Sequence, residues 1–198
     1  MLIRTEAPAD ILAVDELLKN VFATEAEANL VMALRENGKR TLSLVACDDE
    51  GAILGHVMFS PVTVAGEDLN WQGLAPLAVK EEYRRQGIGA DLVKEGLSSL
   101  GELGYPACVV LGDPDYYARF GFEDAASYQL HCAWDAPQGA FRVVALWERE
   151  LDGRSGLIEY TPCSLPLSKS SFKKEHLCSF FSLALESLIL CLLALPLR

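Results

Sequence analysis

Residues 77–103 constrain the fold of this chain more than any other segment. Leu77-Ala78-Val79 is an apolar stretch typical of a strand, and the basic turn Arg84-Arg85-Gln86 follows it. Gly87-Ile88-Gly89 then opens a segment in which apolar residues recur at helical spacing. The backbone N–H groups at the start of such a helix have no intrahelical partner, and the helix dipole is positive there. The segment therefore predicts a strand, a turn and a helix whose N-terminus can bind phosphate oxygens.

The two glycines at the start of the predicted helix suit a phosphate group that comes close to the backbone. Gly87 and Gly89 lack Cβ atoms, and Arg84 and Arg85 add positive charge at the rim. Two other phosphate motifs fit less well. A dinucleotide-binding Gly-x-Gly-x-x-Gly needs a glycine where Leu92 stands, and the Gly-Lys-Ser/Thr of a P-loop is absent. A helix start beside a solvated basic turn, with no ligand, is the alternative interpretation.

The rest of the chain predicts a domain of mixed helices and strands. Helices are expected from Asp10, from a capping box at residues 24–27 that leads to Gly38, from about Gly87, and from Asp113-Pro114. The predicted strands are residues 2–4, 42–47, 53–64, 69–79, 107–111, 128–134 and 141–147. Gly73 and Pro76 interrupt the fourth of these strands, which indicates a bulge or a splayed edge. The order β-α-α-β-β-β-α-β-α-β-β is that of an α+β or α/β domain.

The short helix predicted after Asp113-Pro114 carries an aromatic cluster. Tyr116, Tyr117 and Phe120 lie within one or two turns of each other, and Gly121 ends the helix. A packed aromatic face is one interpretation of this cluster. A functional tyrosine is the other.

These two segments resemble the motifs of one protein family. Arg84-x-x-Gly87-x-Gly89 resembles the Gln/Arg-x-x-Gly-x-Gly/Ala motif of GNAT acetyltransferases, with Leu77-Ala78-Val79 as the strand before it. The segment 116–122 is similar to the family's later Tyr-x-x-x-Gly-Phe. The resemblance covers about residues 1–160. It implies the GNAT fold, which is a central, mostly antiparallel sheet splayed to hold CoA and flanked by helices.

The resemblance also implies roles for individual residues. Acetyl-CoA, the implied cosubstrate, would lie between the strand that ends at Val79 and the strand of residues 107–111. Tyr117 matches the family tyrosine that protonates the departing thiolate. A tyrosine loses its proton near pH 10 and a thiol at about 8.5, so Tyr117 would still hold a proton to donate. The expected coenzyme-binding residues are Leu77, Ala78, Val79, Arg84, Arg85, Gln86, Gly87, Ile88, Gly89, Ala90, Tyr116 and Phe120.

The general base is left open. Glu25, Glu27, His56 and Asp113 are candidates, although a helix cap accounts for Asp113 and a structural role in a strand accounts for His56. The residues around Cys108 do not resemble those of a catalytic cysteine, so a covalent cysteine mechanism is not expected. The histidines and cysteines lack the spacing of metal ligands, so no metal is expected.

Gly112-Asp113-Pro114 stands where many family members carry an asparagine. The family's coenzyme contacts on that side are therefore not carried over to this chain.

The charge of the chain bears on its partners. A formal net charge of −11 disfavours nucleic acid and favours a cationic acceptor such as an amine, although a plain acidic protein has the same charge. The expected function is transfer of an acetyl group from acetyl-CoA directly to a primary amine of a small molecule or peptide. A non-catalytic acyl-CoA-binding or regulatory domain is the alternative, and a homodimer is left open. The N-terminal residues lack a signal-peptide core, which predicts a cytoplasmic location.

Residues 161–198 differ in composition from the rest of the chain. They are rich in Ser, Leu and Cys, and residues 179–197 are nearly all apolar apart from serines and Glu186. A non-native extension, a packed helix and a membrane anchor all fit this composition. We therefore expect one acetyltransferase domain at residues 1–160 and a tail of unknown role.

Overall fold

A computed structural model describes residues 1–160 of the chain. The expectations for the tail at 161–198 lie outside the described residues. The domain boundary near Tyr160 therefore stays a prediction.

The described residues form one mixed sheet of nine strands with helices on both faces. The strands are β1 (Leu2–Thr5), β2 (Leu42–Cys47), β3 (Ile53–Val64), β4 (Gln72–Val79), β5 (Ala107–Leu111), β6 (Glu123–Asp124), β7 (Leu130–Cys132), β8 (Phe141–Ala145) and β9 (Gly156–Tyr160). The helices are α1 (Ile11–Val21), α2 (Ala26–Glu36), α3 (Ile88–Glu102) and α4 (Pro114–Ala118), with 3₁₀ turns at Pro8–Asp10, Glu81–Tyr83 and Ala125–Tyr128. The sheet runs in the order β1-β2-β3-β4-β5-β8-β6, while β9 pairs with β3 and β7. Only the β4–β5 and β7–β9 pairs of these strands are parallel, so the predicted mostly antiparallel sheet is confirmed.

The sheet separates two hydrophobic cores. On one face α1 and α2 pack against side chains that include Met58 and Ala78. On the other face α3 packs against Val57, Phe59 and Leu74. The alternation of Val57, Met58 and Phe59 between the two cores is the two-residue period of a strand. No helix within residues 1–160 is both long and apolar enough to cross a bilayer.

Strands β4 and β5 pair over only part of their length. Gln72, Gly73 and Leu74 pair with Cys108–Val110, whereas residues 77–79 pair with β3 alone. The register between β3 and β4 shifts between Val57 and Phe59, because β4 has one extra residue at this point. The bulge and splayed edge predicted from Gly73 and Pro76 are thus present. A gap opens between β4 and β5 beside the start of α3.

Several predicted element boundaries are confirmed. Asp113 caps α4, since its carboxylate accepts a hydrogen bond from the Tyr116 N–H at 2.6 Å. Gly38 ends α2 with φ of 63°, and its N–H donates to the Arg35 carbonyl at 3.2 Å. Strand β5 is fully buried, as its run of apolar residues predicts.

Other predicted boundaries are wrong. Asp10 does not cap α1 with its side chain, because its carboxylate pairs with Arg4 at 2.6 Å and accepts from the Ala7 N–H. The fourth predicted strand begins at Gln72 rather than Leu69. The strand predicted at 128–134 is reduced to Leu130–Cys132, because a 3₁₀ turn capped by Asp124 precedes it. Strands β6 and β9 were not predicted, since both are held by distant partners in β8, β3 and β7.

Candidate active site

A cavity of about 730 Å³ lies where β4 and β5 diverge. Its lining combines the end of α1, the end of β4, the turn before α3, the first turn of α3, and α4. The sequence-predicted residues that line it are Leu77, Val79, Arg84, Arg85, Gly87, Ile88, Gly89, Ala90, Tyr116 and Tyr117. Both sequence motifs therefore contribute to one site.

The first turn of α3 presents backbone donors to this cavity. Gly87 is the N-cap residue and has φ of 89°, a left-handed conformation that favours glycine. The Asp91 N–H donates to the Gly87 carbonyl at 2.9 Å and closes the first turn. The N–H groups of Ile88, Gly89 and Ala90 precede this bond, so they have no intrahelical acceptor. Together with the positive end of the helix dipole, these N–H groups suit an anionic ligand.

Gly89 allows a close approach of a side chain to the helix start. A Cβ atom at Gly89 would lie 2.9 Å from the Tyr116 hydroxyl oxygen. The Tyr116 hydroxyl therefore lies directly over the first turn of α3. Burial raises the pKa of Tyr116, as Asp91 does, while the charge of Arg119 opposes this shift. The phenol is a hydrogen-bond donor at neutral pH.

Tyr117 lies deeper than Tyr116. Its side chain is only 2% exposed, and its ring makes edge contacts with Tyr116 and Phe122 at centroid distances of 5.0 and 5.6 Å. Burial raises the pKa of Tyr117, and the neighbouring Tyr116 and Cys108 add to the shift. Tyr117 therefore holds its proton across the physiological pH range while it lines the cavity.

Three expected coenzyme-binding residues do not line the cavity. Ala78 is buried in the core that faces α1 and α2. The Gln86 side-chain amide donates to the Glu82 carbonyl at 3.2 Å, within the turn before α3. Phe120 packs against the Tyr116 ring at a centroid distance of 5.4 Å. Each lies next to a lining residue in sequence, but its side chain contributes to the surrounding structure.

Within residues 1–160, five further residues that the sequence did not predict line the cavity. Val21 and Phe22 reach the cavity from α1, and Glu81 and Tyr83 reach it from the 3₁₀ turn before α3. Arg119, directly after α4, also lines it and lies within the Tyr-x-x-x-Gly-Phe segment at residues 116–122. No local pattern indicates Val21 or Phe22, because only the tertiary fold brings α1 to this place.

The candidate bases do not line the cavity, and two of them, Glu27 and His56, are fully buried elsewhere. His56 is 0% exposed, and its Nε2 lies 2.9 Å from the Ser43 hydroxyl and 3.6 Å from a Glu6 oxygen. Asp113 is the cap of α4, while Glu25 and Glu27 are absent from the cavity lining. Burial raises the pKa of Cys108, which leaves its thiol protonated. No three His, Cys, Asp or Glu side chains of residues 1–160 come together as a metal site.

Comparison with known proteins relates the whole described region to acetyltransferases. Residues 3–125 match the family described as Acetyltransferase (GNAT) domain. The Escherichia coli (strain K12) protein called uncharacterized N-acetyltransferase YhbS is 56% identical over 160 residues, which is 81% of this chain and 96% of that protein. A second protein of that strain, the uncharacterized N-acetyltransferase YjhQ, is 37% identical over 122 residues, which is 60% of this chain and 67% of its own length.

Two solved structures of similar proteins contain a coenzyme. The crystal structure of YhbS from Escherichia coli in complex with CoA has a TM-score of 0.79 and 55% identity, over 81% of this chain and 89% of that one. A GNAT family acetyltransferase from Brucella melitensis in complex with acetyl-CoA has a TM-score of 0.69 and 34% identity, over 82% of this chain and 96% of that one.

Proposed function

Since this chain belongs to the GNAT acetyltransferase family, we propose that it transfers an acetyl group from acetyl-CoA directly to a primary amine of its acceptor. It is an N-acetyltransferase whose cosubstrate is acetyl-CoA. One observation supports the proposed route best. The cavity at the gap between β4 and β5 brings together the start of α3, the free edge of β4 and Tyr117.

The free edge of β4 suits the arm of the coenzyme. Residues 77–79 pair with β3 on one side and have no described strand partner on the other. Backbone groups of Leu77 and Val79 can therefore bind the amides of the pantetheine arm as a neighbouring strand would. A backbone N–H at this strand end would also polarise the carbonyl of the thioester, as an oxyanion hole does.

The start of α3 suits the pyrophosphate. The amides of residues 88–90 point along the helix axis toward its N-terminus, and Arg84 and Arg85 line the cavity beside them. The Arg84 Nε donates to the Val79 carbonyl at 3.3 Å, which ties the basic turn to the end of β4. The Tyr116 hydroxyl over Gly89 adds a side-chain donor at the same place. These donors and positive charges are complementary to a pyrophosphate with two negative charges.

The chemistry requires a proton donor rather than a protein nucleophile. Acetyl-CoA supplies an activated thioester, which a neutral amine can attack without help from a covalent enzyme intermediate. Tyr117, the deeper of the two protonated tyrosines that α4 contributes to the cavity, would give its proton to the departing sulfur. The acceptor nitrogen loses one proton to solvent, and the Tyr117 phenolate regains one from solvent, which restores the enzyme for the next turnover. Cys108 is buried and protonated, so it is a poor nucleophile.

The acceptor class can be tested with matched pairs of compounds. Thiol release from acetyl-CoA is measured with pooled primary amines and with alcohols of the same carbon skeletons. We expect release with the amines alone, and a mass increase of one acetyl group on the amine nitrogen. The variant Gly87→Glu is the control, because its carboxylate would repel the pyrophosphate at the N-cap of α3. Acetylation of the alcohols but not of the amines would contradict the proposal.

A further inference from the structure

Arg119 has no role in the mechanism above, although it lines the same cavity. It follows α4, and its side chain is exposed. The guanidinium carbon lies 4.5 Å from the ring centroid of Tyr116 and 5.4 Å from that of Phe120. Its Nε donates to the Tyr116 carbonyl at 3.2 Å. The aromatic rings and this hydrogen bond hold the guanidinium in one place at the mouth of the cavity.

The positive charge of Arg119 is not neutralised by the protein. The chain has 28 acidic residues against 17 lysines and arginines. Nevertheless, Arg84, Arg85 and Arg119 form no ion pair with an acidic residue in the described region. Of the described residues that line the cavity, Glu81 alone is acidic. Three uncompensated arginines around one cavity of an acidic protein indicate an anionic ligand with more than one charged group.

The position of Arg119 separates it from the pyrophosphate site. The amides of α3, together with Arg84 and Arg85, already provide donors for the pyrophosphate, and the Tyr116 hydroxyl lies over this site at Gly89. Arg119 stacks on the face of the Tyr116 ring rather than beside its hydroxyl. Its guanidinium therefore lies over the middle of that ring, whereas the ring's hydroxyl is the part that reaches the first turn of α3. Coenzyme A has a second anionic group, the phosphate on the 3′ position of its ribose.

We propose that Arg119 binds the 3′-phosphate of coenzyme A and makes the enzyme select it over 3′-dephospho-CoA. The proposal rests on the proposed use of acetyl-CoA. A guanidinium has five N–H donors, and the Tyr116 carbonyl uses one of them. The other donors can bind two oxygens of a phosphate monoester in parallel. Stacking on Tyr116 and Phe120 orders the side chain in advance, so less rotamer freedom is lost on binding.

The test is calorimetric titration with CoA and with 3′-dephospho-CoA, which needs no acceptor. We expect the wild-type protein to bind CoA at least about tenfold more tightly, a difference of about 1.4 kcal/mol. Arg119→Met keeps the length of the side chain but removes its charge. It should weaken CoA binding about tenfold and leave 3′-dephospho-CoA binding unchanged. Arg119→Lys should retain part of the preference, since it keeps the charge without the planar donors.

A matched control is Arg40→Met, because Arg40 is exposed and lies outside the cavity lining. It should leave both affinities unchanged. Equal losses toward both ligands in Arg119→Met would overturn the proposal and place Arg119 at the pyrophosphate. An unchanged preference for CoA in that variant would overturn it too. If the wild-type protein binds neither ligand, the proposed function itself fails, whereas equal binding of both ligands contradicts only the role of Arg119.

Discussion

Tyr116 and Tyr117 are adjacent residues of α4, but their side chains have different surroundings. The Tyr116 hydroxyl lies over the start of α3, where the phosphates would bind. Tyr117 is 2% exposed and packs against Phe122 near the gap between β4 and β5. Residues that alternate in this way on a short helix can serve two subsites of one ligand. At the scale of single residues, Tyr116 is expected to affect binding and Tyr117 to affect chemistry.

The substitution Tyr117→Phe tests this division. It keeps the ring and its packing but removes the proton that the departing sulfur would take. General acid catalysis contributes about 10²- to 10⁴-fold, so the single-turnover rate should fall within that range. The affinity for acetyl-CoA should stay within about twofold of the wild-type value.

Tyr116→Phe is the matched control for this experiment. Since its hydroxyl faces Gly89, we expect weaker coenzyme binding and a smaller change in the single-turnover rate. A wild-type single-turnover rate in Tyr117→Phe would show that Tyr117 only packs in the core. Proton transfer to the sulfur would then have another source.

Two glycines of helix α3 have opposite effects on the stability of the fold. A Cβ at Gly96 would lie 2.4 Å from the Phe59 ring, because the helix packs closely on the sheet at this point. A Cβ at Gly101 would meet no atom within 4 Å. The first glycine permits close packing, whereas the second only adds flexibility to the unfolded chain.

This contrast gives a prediction of opposite sign for two alanine substitutions. Gly101→Ala should increase the free energy of unfolding by about 0.5–1 kcal/mol, since alanine has the higher helix propensity. Gly96→Ala should decrease it by about 1–3 kcal/mol through overpacking against Phe59. Urea denaturation of the two variants measures both changes. Two shifts of the same sign would show that α3 does not lie on the sheet as described.

The elements differ in how far the sequence predicts them. The strand, turn and helix at residues 77–103 were predicted because the spacing of the apolar residues and the N-cap residue Gly87 are local features of the sequence. The divergence of β4 and β5 was indicated by Gly73 and Pro76. Strand β9 was missed because its pairing with β3 joins residues almost a hundred positions apart. The contribution of Val21 and Phe22 to the cavity was missed for the same reason.

The helix cap predicted at Asp10 was wrong because the side chain of Asp10 has another partner. Asp10 has the residue type and position of a helix cap, and the sequence therefore predicts a cap. In the fold its carboxylate binds two Arg4 nitrogens at 2.6 and 2.9 Å instead. A charged partner on a neighbouring strand outweighs a local hydrogen bond, and a local pattern does not contain that information.

A buried polar network links distant parts of the molecule. Glu6, after β1, pairs with Arg35 of α2 at 2.6 Å and accepts a hydrogen bond from Ser43 of β2. Ser43 in turn contacts His56 of β3 at 2.9 Å. Burial would raise the pKa of Glu6, but hydrogen bonds from His56 and Ser43 and the charge of Arg35 outweigh it and lower the pKa from 4.5 to about 2. Burial also lowers the pKa of His56.

Both shifts act in the same direction on the pH dependence of stability. A carboxyl with a lowered pKa contributes stability above its unfolded value of 4.5, and this is lost as the pH falls toward 2. A histidine with a lowered pKa is neutral in the folded protein. As the pH falls below 6.5, the unfolded state therefore binds a proton before the folded state does, and the folded state loses stability. We therefore expect the free energy of unfolding to fall continuously as the pH falls from 7 to 3.

Glu6→Gln tests the contribution of this network. It leaves the charge of Arg35 buried without its partner, so it should destabilise the protein by about 3–5 kcal/mol at pH 7. It should also flatten the pH dependence below 4.5 relative to the wild type. Glu16→Gln, at an exposed position of α1, is the control and should change neither. An unaltered slope below pH 4.5 in Glu6→Gln would contradict the role of Glu6.

At the scale of the whole molecule, acetyl-CoA is expected to bind at the start of α3 and so to stabilise the folded domain. The most direct measurement is the melting temperature of the wild-type protein in millimolar acetyl-CoA, with NADH and ATP as controls. Free ligand at about 100 times its dissociation constant adds about 2.7 kcal/mol of stability. A clear rise with acetyl-CoA that is larger than with either control, and that is lost in Gly87→Glu, is the predicted result. A melting temperature that acetyl-CoA leaves unchanged would show that the coenzyme does not bind at this helix start.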